Sequence, residues 1–266
     1  MIRGLYASAS AMVADLLRQD VVANNIANAT TPGYRRDCTG FESFPDMVVQ
    51  AMGPVIGSIT QGSRTAGTYV DMQKGAPHAT GGTGDVFIRG DGYFVVQDGY
   101  ETVYTRLGSF RVGSTGVLAT QHGHTVLGVS GPIRVGAGQF TIDARGYVRS
   151  GDSIAGQLRV VRLGEHVQMT KNEHGYLVPT SSRSGTSFGE QVTWSSQPWP
   201  YAAGEPGGPY QVAVPDLETG SLELSNVNPV MEMVTLINVL RSYEANAKAL
   251  SAQDETLSRA VNEIAR

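Results

Sequence analysis

The chain has 266 residues, enough for one large domain or two small ones, with 17 % charged residues and a net charge of −4. That balance, with no basic run, gives no support for a nucleic-acid partner, and no stretch is long and apolar enough to span a bilayer. Cys38 is the only cysteine, which excludes an internal disulfide and fits a cytosolic protein or one exported without reliance on oxidation.

The first predicted element is a helix over residues 1–30. Leu5, Ala9, Met12, Leu16, Gln19, Ala23 and Ile26 recur at alternating spacings of four and three, the seam of a helix that packs on another helix. The helix is expected to stop at Thr31-Pro32-Gly33, because proline disfavours the α region for the residue before it and glycine turns freely. Residues 4–15 are rich in small side chains and lack a dense apolar block, so no cleaved secretory signal is expected. Asn24, Asn25 and Asn28 weaken the last turns, since asparagine side chains compete for backbone hydrogen bonds. A fraying helix end is one account of them; hydrogen bonding between subunits is the other.

Residues 31–67 read as a connecting segment of weak periodicity. Within it Met47-Val48-Val49 and Val55-Ile56 suggest two short strands or a strand pair. Residues 68–220 read as a central antiparallel β domain of barrel or sandwich type. Val86-Phe87-Ile88, Tyr93-Phe94-Val95-Val96, Val103-Tyr104-Thr105 and Phe110-Arg111-Val112 are β-rich runs. Gly90-Asp91-Gly92, Asp98-Gly99 and Leu107-Gly108-Ser109 supply turns between them. The rhythm continues through 125–129, 139–142, 147–148, 157–163 and 176–178. Residues 198–209 are rich in Pro and Gly and read as irregular, with weak strands resuming at 211–214 and 221–224.

The C-terminal helical domain is expected over 221–266. Asn228-Pro229 is a helix start, asparagine at the N-cap and proline at the first helical position. Leu236, Leu240, Tyr243, Ala247, Leu250, Asp254, Leu257, Val261 and Ile264 form a second seam of heptad spacing. The fold class is therefore mixed α and β, with the terminal helices pairing as an antiparallel coiled coil. One register sets Ile26 against Ala247 and Met12 against Val261. It also joins the two polar seam positions, Gln19 and Asp254, in a layer that penalises slipped alternatives.

No stretch carries a complete catalytic or ligand set. His122-Gly123-His124 brings two imidazoles together, but spacing reveals no further ligand, so a polar turn is expected and no metal site. His78, His166 and His174 lie scattered in turn-like settings. Gly81-Gly82-Thr83-Gly84 precedes a strand instead of opening a helix, which argues against a phosphate loop. Neither a G-x-S-x-G elbow nor an H-E-x-x-H pair occurs, and no two carboxylates are marked as acid and base. Cys38 follows two arginines but has no paired histidine signature, so it reads as structural. Trp194 and Trp199 suit packing better than a sugar platform. The expectation is a protein that is not an enzyme and needs no cofactor.

Ala23-Asn24-Asn25-Ile26-Ala27-Asn28, followed by Thr31-Pro32-Gly33-Tyr34, resembles the N-terminal signature of the bacterial flagellar rod and hook protein family. Arg241-Ser242-Tyr243-Glu244-Ala245-Asn246-Ala247-Lys248 resembles its C-terminal signature. Residues 85–94 and Tyr104-Thr105-Arg106-Leu107-Gly108-Ser109-Phe110 are similar to the β core of its rod members. The resemblance implies a structural subunit of the flagellar basal-body rod in the cell envelope, whose terminal helices bundle into an inner tube. It further implies self-association, contact with other rod and hook-basal-body subunits, and export through the flagellar type III apparatus without a cleaved signal. Nucleic-acid binding and direct membrane insertion are not implied. The assembly interface would comprise Leu5, Met12, Leu16, Asn24, Asn25, Ile26 and Asn28 on the first helix. On the last it would comprise Leu236, Leu240, Tyr243, Asn246, Leu250, Leu257 and Val261. Asn226-Val227-Asn228-Pro229-Val230 and Gly131-Pro132-Ile133 look more like the proximal rod type called F than like the distal rod type or a hook-type axial protein. A different class of reading is a cell-wall carbohydrate-binding or cleaving module on a helical stalk, which requires a cleft with convergent carboxylates or stacked aromatics.

Overall fold

The structure is a computed structural model that describes residues 2–43, 47–50, 55–59, 63–99, 101–136, 138–163, 169–179, 210–212 and 215–264. It divides into two compact units. One comprises Met1–Thr30, Arg35–Met72 and Asn226–Arg266; the other comprises Thr31–Tyr34 and Gln73–Ser225. Trp194, Trp199, His166 and the stretch 198–209 lie outside the described residues. Among the described residues, no helix is long and apolar enough to cross a membrane.

The first unit is built on α1 (Ile2–Ala27) and α2 (Pro229–Ile264). The start of α2 is capped as its sequence predicts. Asn228 Oδ1 accepts from the N–H groups of Val230 at 3.1 Å and Met231 at 3.3 Å, which have no partner inside the helix. The end of α1 comes earlier than the expected stop at Thr31. Asn28 Nδ2 donates to Asn24 O at 3.0 Å, and the Ala29 N–H reaches back only three residues, to Ile26 O. The asparagine side chain competes with the helix ladder and the last turn tightens.

Between the helices, strand Asp37–Ser43 pairs antiparallel with Ser63–Val70, and Met47–Gln50 pairs with Val55–Ile59. The expected connecting segment thus holds paired strands, including the pair suggested by its valines and isoleucine. Asn25 fastens the end of α1 to this hairpin. Its Nδ2 donates to Asp37 O at 2.8 Å and its Oδ1 accepts from Asp37 N at 2.9 Å. A second clasp ties the hairpin base to the entry of α2. The Arg36 N–H donates to Asn226 Oδ1 at 2.7 Å, and Asn226 Nδ2 donates to Asp71 O at 3.2 Å. Arg36 also pairs with the buried carboxylate of Glu232, 3.3 Å apart.

The second unit is β-rich and its sheets are open, not closed into a barrel. The path of the largest runs Met169–Lys171, Leu177–Pro179, Glu101–Thr105, Tyr93–Asp98, Thr125–Gly128, Leu118–Thr120, Phe110–Val112. All these pairings are antiparallel, as predicted from short runs with intervening turns. Closure would require the first and last of these strands to pair; among the described residues each ends as an edge. Smaller sheets join 140–142 with 147–150 and 153–157, Val86–Ile88 with Leu217–Thr219, and Pro77–Ala79 with Ser221–Glu223. Residues 221–223 form the weak strand their sequence suggests, and they belong to this unit, not to the helical domain expected to open there. Its core gathers Phe94, Phe110, Leu118, Val126, Ile133, Val148, Leu158 and Leu217, with Phe94 and Phe110 edge-to-face at 5.0 Å.

Two signature stretches meet inside this unit. Gly33 adopts φ +70°, and a Cβ there would lie 2.6 Å from Leu107 N, so only glycine lets residues 31–34 press against the Arg106-Leu107-Gly108 turn. The Gly33 N–H donates to Glu223 O at 2.7 Å. Beside this contact lies a buried ion pair. Arg106 Nη1 donates to Glu223 Oε2 at 3.2 Å and to Ile88 O at 3.3 Å, while Nη2 donates to Gly90 O at 3.0 Å. The other carboxylate oxygen of Glu223 accepts from the Gly75 N–H at 2.9 Å, and the Tyr93 ring lies 4.8 Å from the guanidinium carbon. One ion pair thus holds four separate backbone segments at their mutual approach.

Candidate assembly surface

The seams read from sequence keep their period in the structure, and on α2 three of the predicted positions shift by one residue. On α2 the positions that are not exposed run Glu232, Thr235, Leu236, Val239, Tyr243, Asn246, Ala247, Leu250, Gln253, Leu257, Ala260. Leu236, Tyr243, Ala247, Leu250 and Leu257 belong to the predicted seam. Val239, at 3 % exposure, takes the place expected of Leu240, which is 40 % exposed. Gln253 takes the place of Asp254, and Ala260 that of Val261, which stays 64 % exposed.

The contacts with α1 explain the shift. Asn246 Nδ2 donates to Asp15 Oδ2 at 3.3 Å, and the Gln253 amide fills the space where a Cβ on Gly4 would sit, 2.8 Å away. Polar pairing and a close approach at glycine choose the face, and neither is visible in a count of apolar residues. The same contacts exclude the predicted Gln19–Asp254 layer. Asp254 follows Gln253 beside Gly4, 15 residues from Gln19, or about 22 Å of helix rise away.

The predicted interface residues consequently divide. Leu16, Asn24, Leu240 and Val261 are exposed in the single chain. Leu5, Met12, Ile26, Asn28, Leu236, Tyr243, Asn246, Leu250 and Leu257 are half-buried. Asn25 is a correction, because it is buried and both ends of its amide are engaged by Asp37 of the same chain. An apolar run that the seam argument missed opens α2: Val230 at 68 %, Met231, Met233, Val234 and Ile237 are all exposed, continuing to Leu240. On α1, Tyr6, Val13, Leu16 and Leu17 are likewise exposed. The signal was present in the sequence as apolar residues off the heptad positions of a capped helix.

Among the described residues of the second unit, chemistry of another kind finds little support. A depression lined by Asp143, Ala144, Arg145, Tyr147, Arg149 and Ile154 holds one carboxylate. Its Oδ1 already accepts from the N–H groups of Arg145 and Tyr147, each at 2.9 Å, so it lacks the carboxylate pair of a sugar hydrolase. The His122-Gly123-His124 turn, in contrast, is not the isolated pair its spacing implied, because the fold brings Asp98 and His174 to it.

The chain carries two terminal helices with exposed apolar residues in one unit and a β-rich second unit. Family models described as flagella basal body rod protein, flagellar hook protein FlgE/F/G D1 domain and flagellar basal body rod FlgEFG protein C-terminal match residues 5–35, 87–151 and 218–263. The chain is 32 % identical to the flagellar basal-body rod protein FlgG of Bacillus subtilis, over 98 % of this chain and 99 % of that protein. It is 31 % identical to the rod protein FlgF of Caulobacter vibrioides, over 100 % and 99 %, and 32 % identical to FlgF of Salmonella typhimurium, over 98 % and 97 %. The chain belongs to the flagellar basal-body rod protein family, as a structural rod subunit of the F or G type.

Proposed function

We propose that this rod subunit polymerises through its terminal helices, which pair antiparallel as a short coiled coil inside each subunit and offer their bare apolar faces to helices of neighbouring copies or of other rod and hook-basal-body subunits. The observation that carries this reading is the choice of faces on α2. The stripe turned toward α1 includes Asn246 and Gln253, whereas Val230, Met231, Met233, Val234, Ile237 and Leu240 remain in water. Contiguous apolar surface of this kind marks an association site. The role is structural, without catalysis, and the two terminal helices, α1 and α2, form the assembling part. The chain reaches its place through the flagellar type III export apparatus. Between the two subtypes, the run from Asn226 to Val230 favours F.

The test is Val230→Glu combined with Ile237→Glu. Both sites are exposed, and a carboxylate in the first turn suits the positive end of a helix, so the monomer should unfold at its normal denaturant midpoint. Basal bodies from a deletion strain carrying the variant should lack the subunit, and swimming should be lost. Normal rods with the variant incorporated would refute the helix-face reading. Parallel rescue of strains lacking the F or the G protein reads the subtype; rescue of the G strain alone would refute F.

A further inference from the structure

Three turns of the second unit converge on one carboxylate. Asp98 closes strand Tyr93–Asp98, His124 lies in the turn before Thr125–Gly128, and His174 lies in the turn between Met169–Lys171 and Leu177–Pro179. His124 Nδ1 lies 3.0 Å from Asp98 Oδ1, and His174 Nδ1 lies 3.2 Å from Asp98 Oδ2. The ligand atoms of all three fall within 4.8 Å of one another. His122 completes the group, its ring centroid 6.5 Å from that of His124 and 6.4 Å from that of His174.

We propose that Asp98, His124 and His174 bind a divalent transition metal of the zinc type, with His122 or water in the fourth position. Metal bonds of about 2.0–2.1 Å in a tetrahedron separate neighbouring ligand atoms by about 3.3 Å. Each imidazole already approaches its own oxygen of the Asp98 carboxylate at close to that edge. Two imidazoles and a carboxylate form a borderline donor set that suits zinc over magnesium or calcium. The site also has supporting partners of the kind metal centres use. Asn172 Nδ2 donates to Asp98 Oδ2 at 3.0 Å, while its Oδ1 accepts from the N–H groups of His174 at 3.1 Å and Tyr176 at 2.9 Å. The buried Tyr176 ring backs His124 edge-to-face at 5.3 Å, and its hydroxyl is held by Thr120 at 2.9 Å. A bound ion would cross-link three hairpins at one end of the sheet and stabilise the folded state in proportion to its occupancy.

The experiment uses the full chain without a histidine tag, washed with chelator and titrated with zinc chloride by calorimetry, with metal content read by mass spectrometry. Equimolar zinc and a zinc-dependent rise in melting temperature are expected. His174→Ala and Asp98→Asn should each weaken binding by more than about 100-fold, the upper end of what losing a supporting partner costs. His78→Ala, on the exposed strand Pro77–Ala79, should change nothing. In the wild-type protein, zinc should shift the imidazole resonances of His124 and His174 and spare His78, a readout independent of how the variants fold. Absence of zinc in the wild type, equal affinity in His174→Ala, or resonance shifts centred on His78 would each overturn the site.

Discussion

Replacing Glu223 by Leu tests how the second unit is held together. The side chains of Arg106 and Glu223 are 2 % and 1 % exposed, so the pair is shielded from water and salt. Removing one partner of a buried pair costs about 3–5 kcal/mol, because the remaining charge has lost its counter-charge in a poorly solvating site. Arg106 would retain the carbonyls of Ile88 and Gly90, which moderates the loss. The Gly75 N–H would lose its acceptor, which adds to it. Together these place the cost near the middle of that range, about 4 kcal/mol. In a unit of this size each kcal/mol moves the melting temperature by about 2–4 °C, so a fall of about 8–16 °C is expected. Hydrogen exchange of peptides covering 86–108, followed through urea, assigns the loss to this unit. Adding Arg106→Met should restore much of the stability, since the stranded cation is gone. A loss under about 1 kcal/mol for Glu223→Leu, close to that of an ordinary surface change, would refute the argument.

Asn25→Ala removes both bonds to Asp37 and should cost the first unit about 1–3 kcal/mol, seen as faster exchange of the Asp37 amide; unchanged exchange would argue against the clamp. Gly33→Ala forces a left-handed φ on alanine, about 1–2 kcal/mol, and overlaps the Leu107 backbone. A lower urea midpoint for the second unit is expected, and an unshifted midpoint would contradict it. The Lys74 ammonium, by hydrogen bond and charge, holds the Asp91 carboxyl below the usual aspartate range. Stability from this pair is therefore present above about pH 3.9 and lost as pH falls through the lowered value. Lys74→Met should raise the Asp91 midpoint in a carbon-detected NMR titration, and an unmoved midpoint would assign the shift elsewhere.

What sequence determines here is local. Asn228-Pro229 caps a helix because the asparagine oxygen and the proline ring act on residues one to three positions away. The β runs between Gly and Asp turns form short antiparallel strands for the same reason: each turn depends on its own backbone freedom. The family signatures at both ends are equally local strings. Tertiary structure decided which stripe of each helix turns inward. Two stripes of the same period overlap on α2, and Asn246 bonding Asp15 and Gln253 filling the space beside Gly4 selected the more polar one. It also turned Asn25 from an interface candidate into an internal clamp, and left open the sheets of a β domain expected as a barrel or sandwich. The gathering of Asp98, His124 and His174 belongs to the same category. The first and last of these are 76 positions apart, and only the order of strands in the sheet brings their turns to one place. Periodicity reports how often a chain offers a face. Which face is taken depends on long-range pairing and close approach, and these are properties of the folded chain.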